Sequence, residues 1–222
     1  CTLTELVVAG VGTYTVDATG QMTFDPLPTY TGTPAPVKYI VKDETGQVDD
    51  STYTPTVIPA PVAVADTSKN GQDINQSINV LSNDTIPTNG NALDPTSVKL
   101  CALADAAANP PVTAEVSPNC SLTELVVPGE GKYTVNPTTG VVTFDPEPEF
   151  TGTATKINYQ VSDTGTGANK QTTTATITPT VVPAPTARPD TTTGGQGLPQ
   201  STNLLTNTAG SDAAAPGQGG NL

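Results

Sequence analysis

The side chains of this chain that could do chemistry are carboxylates and thiols, and what they lack is a base to work with. There is no histidine among the 222 residues, so neither a Ser-His-Asp nor a Cys-His arrangement can form. A pair of carboxylates could still serve as acid and base, as in glycoside hydrolysis. Asp49 and Asp50 are adjacent, which on a strand turns them to opposite faces, and the matching stretch Ala168–Lys170 carries no acid. Glu147 and Glu149 share a face, but Leu27 and Thr29 stand at the matching positions. Solvated turns account for both pairs, and the chain reads as a non-enzyme.

A hard cation held by oxygen ligands is the other chemistry open to acids. The calcium candidates are Asp66 and Asp84, in ADTSKNGQD and LSND, with Asp43 or Asp163 from a neighbouring loop. Asp66 recurs as Asp190, whereas the counterpart of Asp84 is Thr208. The dense acid spacing of a strong calcium loop is missing, and side chains capping turns explain the same residues. No cofactor is expected, with calcium the single candidate.

Cys101 and Cys120 bracket an 18-residue loop rich in alanine and proline. Joined, they would contribute about 3 kcal/mol by restricting the unfolded chain, and would suit an oxidising, extracellular setting. The alternative is two unpaired thiols. No CxxC spacing accompanies them, which with the missing histidine argues against zinc.

The element that must position these groups is a duplication. CTLTELVVAGVGTYTV from Cys1 returns as CSLTELVVPGEGKYTV from Cys120, an offset of 119 residues. TFDP returns from Thr23 to Thr143, offset 120, and TPTVIPAPVAVAD returns from Thr54 to Thr178, offset 124. The order is kept and the drift comes from small insertions at turns. A period of about 120 residues exceeds the 20–50 of a solenoid repeat, so each unit carries its own core. By the same offset Cys1 matches Cys120, and the counterpart of Cys101 would fall beyond Leu222. Cys1 is therefore expected to be unpaired.

Composition bounds the class. The balance of 8 basic to 21 acidic residues, net −13 with the single arginine Arg188, makes nucleic acid and anionic membrane poor partners. No apolar run of about 18 residues spans a bilayer. Threonine-rich, proline- and glycine-punctuated sequence without helix-forming blocks reads as all-β. The alternation in GTYTV and QMTF puts Tyr14, Val16, Met22 and Phe24 on one face of a hairpin, matched by Tyr133, Val135, Val142 and Phe144. Gly20 and Gly140 close the two turns. Val37, Tyr39 and Val41 point one way on a further strand, matched by Ile157, Tyr159 and Val161. The expected core thus includes Tyr14, Phe24, Tyr39, Tyr133, Phe144 and Tyr159. Other strands are expected near Ser77–Leu81, Ser97–Leu100 and Thr172–Thr178. Such short strands at this spacing predict tandem immunoglobulin-like antiparallel β-sandwich repeats. The proline-spaced stretches at Pro59 and Pro183 give boundaries: 1–59 the back half of one repeat, 60–183 a complete repeat, and 184–222 the front half of the next. Either the chain is a window on a longer array, or the front half of one copy completes the back half of another.

The constellation of YTV, TG, TFDP and TGT, followed by an alternating tyrosine strand ending in Asp, resembles the CshA-type fibril repeats of bacterial surface adhesins. ADTSKNGQ, NVLSND and LDPTSVKLC carry the likeness upstream. The resemblance implies a secreted, surface-anchored chain whose sandwiches form a thin fibril at the bacterial cell surface, packed head to tail against other repeats or copies. The paired cysteines are not part of the generic pattern. Two other readings of function stay open: a module that binds host surface protein or glycan through Tyr30 and Tyr53, and a self-assembling filament subunit completed by strands of another copy. Three further motifs are set aside. LPQST at Leu198–Thr202 lacks the glycine and apolar tail of a sortase signal. Lys38 and Lys156 adjoin inward residues and so face solvent, which disfavours a Lys–Asn crosslink. The sequons at Asn75, Asn83 and Asn119 are at chance level in a threonine-rich chain.

Overall fold

A computed structural model describes residues 3–104 and 113–204. Cys1 lies outside the described residues, and the expectation about its thiol falls with it. The described chain is all-β. Strands β1 (Glu5–Val8), β2 (Gly12–Val16), β3 (Met22–Pro26), β4 (Val37–Lys42) and β5 (Val48–Tyr53) come first. They are followed by β6 (Asp66–Gly71), β7 (Gln76–Ile78), β8 (Lys99–Leu100), β9 (Glu124–Val127) and β10 (Gly131–Val135). β11 (Val142–Pro146), β12 (Gly152–Thr153), β13 (Ile157–Ser162) and β14 (Thr172–Val182) complete the set. Two single 3-10 turns, Pro95–Ser97 and Gly167–Asn169, are the helical segments among the described residues.

Between residues 59 and 182 the strands form two sheets. One is antiparallel, in the order β7-β11-β10-β9. The other runs β12-β14-β13-β8, with β6 on the remaining edge of β14. Thr180 of β14 shows the arrangement: it faces Thr153 of β12 on one side and Lys69 of β6 on the other. The β6–β14 pair is parallel, a departure from the wholly antiparallel expectation. β6 itself was not foreseen, because DTSKNG has no apolar alternation and is a strand only through its pairing with β14.

Other boundaries moved for local reasons. The strand expected at Ser97–Leu100 begins only at Lys99, because Asp94 caps the Pro95–Ser97 turn by accepting from Thr96 N at 3.0 Å. The one expected at Ser77–Leu81 is Gln76–Ile78, after which Val80 enters the core from a loop. The Thr172–Thr178 strand continues through Pro179 to Val182. That proline lacks an N–H but its carbonyl accepts from Ala154 N at 2.9 Å.

The two sheets share one buried cluster, in which Val80, Leu100, Tyr133, Val142, Phe144, Ile157, Tyr159, Val161 and Ile177 are inaccessible to solvent. Two glycines shape the sequence motifs here. Gly140, at φ 71°, closes the β10–β11 turn in a conformation side chains resist. Gly131 pairs with Pro146, and a Cβ there would sit 2.4 Å from the Asp145 carbonyl and 2.8 Å from the Phe144 ring. The glycine before YTV and the DP of TFDP are thus one close approach.

Residues 3–58 repeat part of this plan. β1-β2-β3 form a three-stranded sheet and β4-β5 a two-stranded one, with a Gly32–Val57 bridge where β12 meets β14. Tyr14 is buried, but Phe24 and Tyr39 are only half-buried, short of the closed core expected for them. Val41 is 58 % exposed where its counterpart Val161 is at 0 %. The physical reason is that β6, β7 and β8 have no equivalents against this pair of sheets among residues 3–58.

Candidate functional site

The acids gathered most closely are Asp66 and Asp84. Asp66 opens β6 and is 7 % exposed, and its Oδ2 has no hydrogen-bond partner. Asp84, in the loop after β7, accepts from Val64 N at 2.8 Å. The Tyr159 hydroxyl, projecting from β13, lies 2.9 Å from Val80 O and 3.3 Å from each oxygen of Asp84. One phenolic proton cannot serve all of these acceptors. Burial pushes the Asp66 carboxyl up to about 6, with the charge of Asp84 adding to the rise against the easing effect of Tyr159 and Asn83. Asp84 is raised as well, chiefly by burial, and the Tyr159 phenol is driven well above its ordinary value, first by burial and then by the two carboxylates.

Sequence pointed to Asp66 and Asp84 but not to Tyr159, whose apolar alternation marked it only as core. Asp43 and Asp163 do something else. Asp43 Oδ1 caps its own turn through Thr45 N and Gln47 N, at 2.9 and 2.8 Å. Asp163 Oδ1 accepts from Gly165 N and Gln171 N at 3.0 Å each, and its Oδ2 from Asn91 Nδ2 at 3.1 Å. Among the described residues no group of three or more His, Cys, Asp or Glu side chains could hold a metal ion.

The second cluster surrounds the cysteines. Cys101, after β8, and Cys120, before β9, have their sulfurs at bonding distance and their Cα atoms 4.3 Å apart. Both are buried. Glu115 ties the two ends of the loop together: Oε2 accepts from Ala102 N at 2.9 Å and Ser121 N at 3.1 Å, and Oε1 from Ser121 Oγ at 2.7 Å. These bonds, Ser121 first, hold its carboxyl below the ordinary glutamate range. From β13, Gln160 accepts from Cys120 N at 3.0 Å in a buried setting. Glu115 and Gln160 went unnoticed in the sequence. The usable signal was that a glutamine stands at position 160 where the first copy has Ile40.

The remaining candidates are solvated or structural. Asp50 pairs with Lys38 at 2.9 Å with both side chains half or more exposed, an arrangement worth under about 1 kcal/mol. Glu147 accepts from Gly129 N at 3.0 Å. Lys156 is exposed. Tyr53 packs edge-on against Tyr14 with ring centres 6.3 Å apart, and Phe150, the counterpart of Tyr30, meets Phe144 in the same way at 6.5 Å.

A groove of about 640 Å³ lies between the β1-β2-β3 and β4-β5 sheets. Tyr14, Val16, Met22, Val37, Tyr39 and Tyr53 line it. Its walls correspond to the sheet faces that enclose the core of the 59–182 region.

Fold and sites together define an all-β repeat module in which polar groups cap turns and fasten loops. The chain belongs to the family of the surface adhesin CshA repetitive domain, whose model matches residues 2–57 and again residues 59–181. It is a tandem repeat module of a surface adhesin, a family of the cell surface, and no helix among the described residues is long and apolar enough to cross a membrane. No curated protein matches the chain.

Proposed function

We propose that this chain is a length of the stalk of an extracellular bacterial adhesin. Disulfide-locked, immunoglobulin-like sandwiches, joined by proline-spaced links, would carry a binding region away from the cell and do no chemistry of their own. One repeat runs over 60–183, flanked by the back half of a preceding repeat, 1–59, and the front half of a following one, 184–222.

The observation that carries this reading is what recurs. Tyr14 stacks on Phe24 at 4.5 Å, and Tyr133 packs on Phe144 at 4.6 Å. The close approaches at Gly12 and Gly131 recur as well. Outward positions do not: Val11, Leu27 and Thr29 stand where the later copy has Glu130, Glu147 and Glu149. A repeated interior under an unrepeated surface suits a spacer better than a ligand site present in every repeat. The links at Pro59–Pro61 and Pro183–Pro185 favour extended, semi-rigid backbone. A net charge of −13 keeps such a rod from collapsing onto an anionic envelope.

The rival reading, a module that grips host protein or glycan, draws little from Tyr30 and Tyr53, both half-buried. Surface-binding measurements on the purified chain, against immobilised host extracellular proteins and glycans, test the choice. No saturable binding is expected; saturable binding would replace the spacer by the binding module.

A further inference from the structure

We infer that the parallel β6–β14 pair is a mechanical clamp: tension across the 59–182 sandwich is resisted by shearing this one ladder, and the other strands yield only after it parts. The inference deepens the stalk reading and rests on it for the tension itself. Which strands resist that tension is set by topology.

Chain direction is the first argument. The sandwich has β6 as its first strand and β14 as its last, and these two are neighbours. They form the one parallel pair among the described residues, with Asp66 opposite Ile177 and Gly71 opposite Val182. The incoming chain therefore meets the pair at its Asp66 end. The outgoing chain leaves at its Val182 end, across a six-residue register of about 17 Å. Pulling the two ends apart slides the strands along their common axis, so the evenly spaced bonds of the ladder are strained together. An antiparallel pair, entered and left at one end, would instead open bond by bond.

Side chains and flanks reinforce the pair. Gln72 N donates to Val182 O at 2.8 Å and Gln72 Oε1 accepts from Ala184 N at 3.1 Å, so the ladder continues past β6 to the point of exit. Gln76, buried on β7, accepts from Ser68 Oγ and donates from Nε2 to Thr180 O at 3.0 Å, tying both strands to the facing sheet. Pro179 leaves the ladder intact: its carbonyl accepts from Ala154 N, and its nitrogen lies on that same side, away from β6. The contacts ahead of β6 are single ones. Val62 bridges Thr85, and Val64 N donates to Asp84 Oδ1 at 2.8 Å. They meet the pull one after another and part before the ladder does. β6 has no apolar residue in DTSKNG, with Thr67 and Lys69 exposed. Apolar burial does not account for its place in the sheet, whereas the path of tension does.

Single-molecule pulling of the 222-residue chain by its termini tests the clamp. Expected is one dominant event releasing about 320 Å of contour, the stretch from Asp66 to Val182 with the cysteine loop closed. Pulled instead between a click-chemistry handle at the exposed Asn75 and the C-terminus, the chain has both anchors at one end of the pair and should unfold at lower force. Two proline variants separate the ladder from general destabilisation. Successive N–H groups alternate along a strand and that of Gln72 faces β14, so that of Asn70 faces β14 and that of Lys69 faces away. Asn70→Pro should speed unfolding under load at least about fivefold, the equivalent of one lost ladder bond, and Lys69→Pro should leave the rate unchanged. Equal forces in the two pulling directions overturn the inference, whether or not Asn70→Pro folds. Equal effects of the two prolines overturn it too. Either result leaves the stalk reading standing, since host binding decides that.

Discussion

At the scale of single residues, the buried Asp66–Asp84–Tyr159 cluster ties stability to pH. The folded carboxyl of Asp66 sits at about 6, above the ordinary aspartate value of 3.8, so near pH 5 the folded state holds a proton that the unfolded chain does not. Its contribution to stability is fully present below about 4 and is lost as the pH rises through 6. Asp17, Asp43 and Glu115 act in the opposite sense: hydrogen bonds lower them, so their contribution holds above the ordinary carboxylate range and fades as the pH falls through their depressed values. Calorimetric melting should thus show Tm climbing from pH 7 to pH 5 and falling again in stronger acid. In Asp66→Asn the climb should flatten; an equally steep climb in that variant would place the titrating group elsewhere. At pH 7 the wild-type curve in calcium should overlay that in EDTA, since two carboxylates fall short of the six to eight oxygens that calcium takes. A Tm raised by calcium and returned by EDTA would make Asp66 and Asp84 ligands after all.

At the scale of elements, the Cys101–Cys120 loop and the β6–β7 unit hold the 59–182 sandwich closed. The cysteines restrain a 19-residue separation, worth about 3 kcal/mol through the unfolded chain. A double Cys101→Ala, Cys120→Ala chain should melt roughly 10 °C lower, as read by circular dichroism, and reductant should lower the wild type by a similar amount. If both chains melt together under oxidising conditions, the bond contributes nothing to the fold. Strands were legible where apolar alternation wrote them. Tyr133–Val135 and Val142–Phe144 are such a case, and their glycine-closed hairpin follows from the residues alone. β6 was not legible, because its polar residues become strand only when the edge of β14 is beside them.

At the scale of the whole molecule, the extension of the proposed stalk would be set by its proline-spaced links and by the Cys101–Cys120 lock. Pulled end to end in a single-molecule instrument, the oxidised chain should unfold with the Cys101–Cys120 loop still closed. Added reductant should lengthen the contour by about 60 Å, the reach of some 19 residues of extended chain. Equal contour lengths with and without reductant would mean that the cysteines are unlinked in the native chain.

The sequence by itself determined the all-β class, the period near 120 residues, the hairpin faces and the family, since alternation, glycine turns and repetition are local properties of the chain. Carboxylates and cysteines were also readable as groups. What they do was decided only by the tertiary structure. Burial, with the charge of Asp84 adding to it, is what lifts Asp66 above its ordinary value, and the fold brings Gln160 to the cysteine loop from 40 residues away. The exposure of Phe24, Tyr39 and Val41, against the complete burial of Phe144, Tyr159 and Val161, depends on whether three strands remote in sequence lie across them, and a strand's own residues carry no record of that.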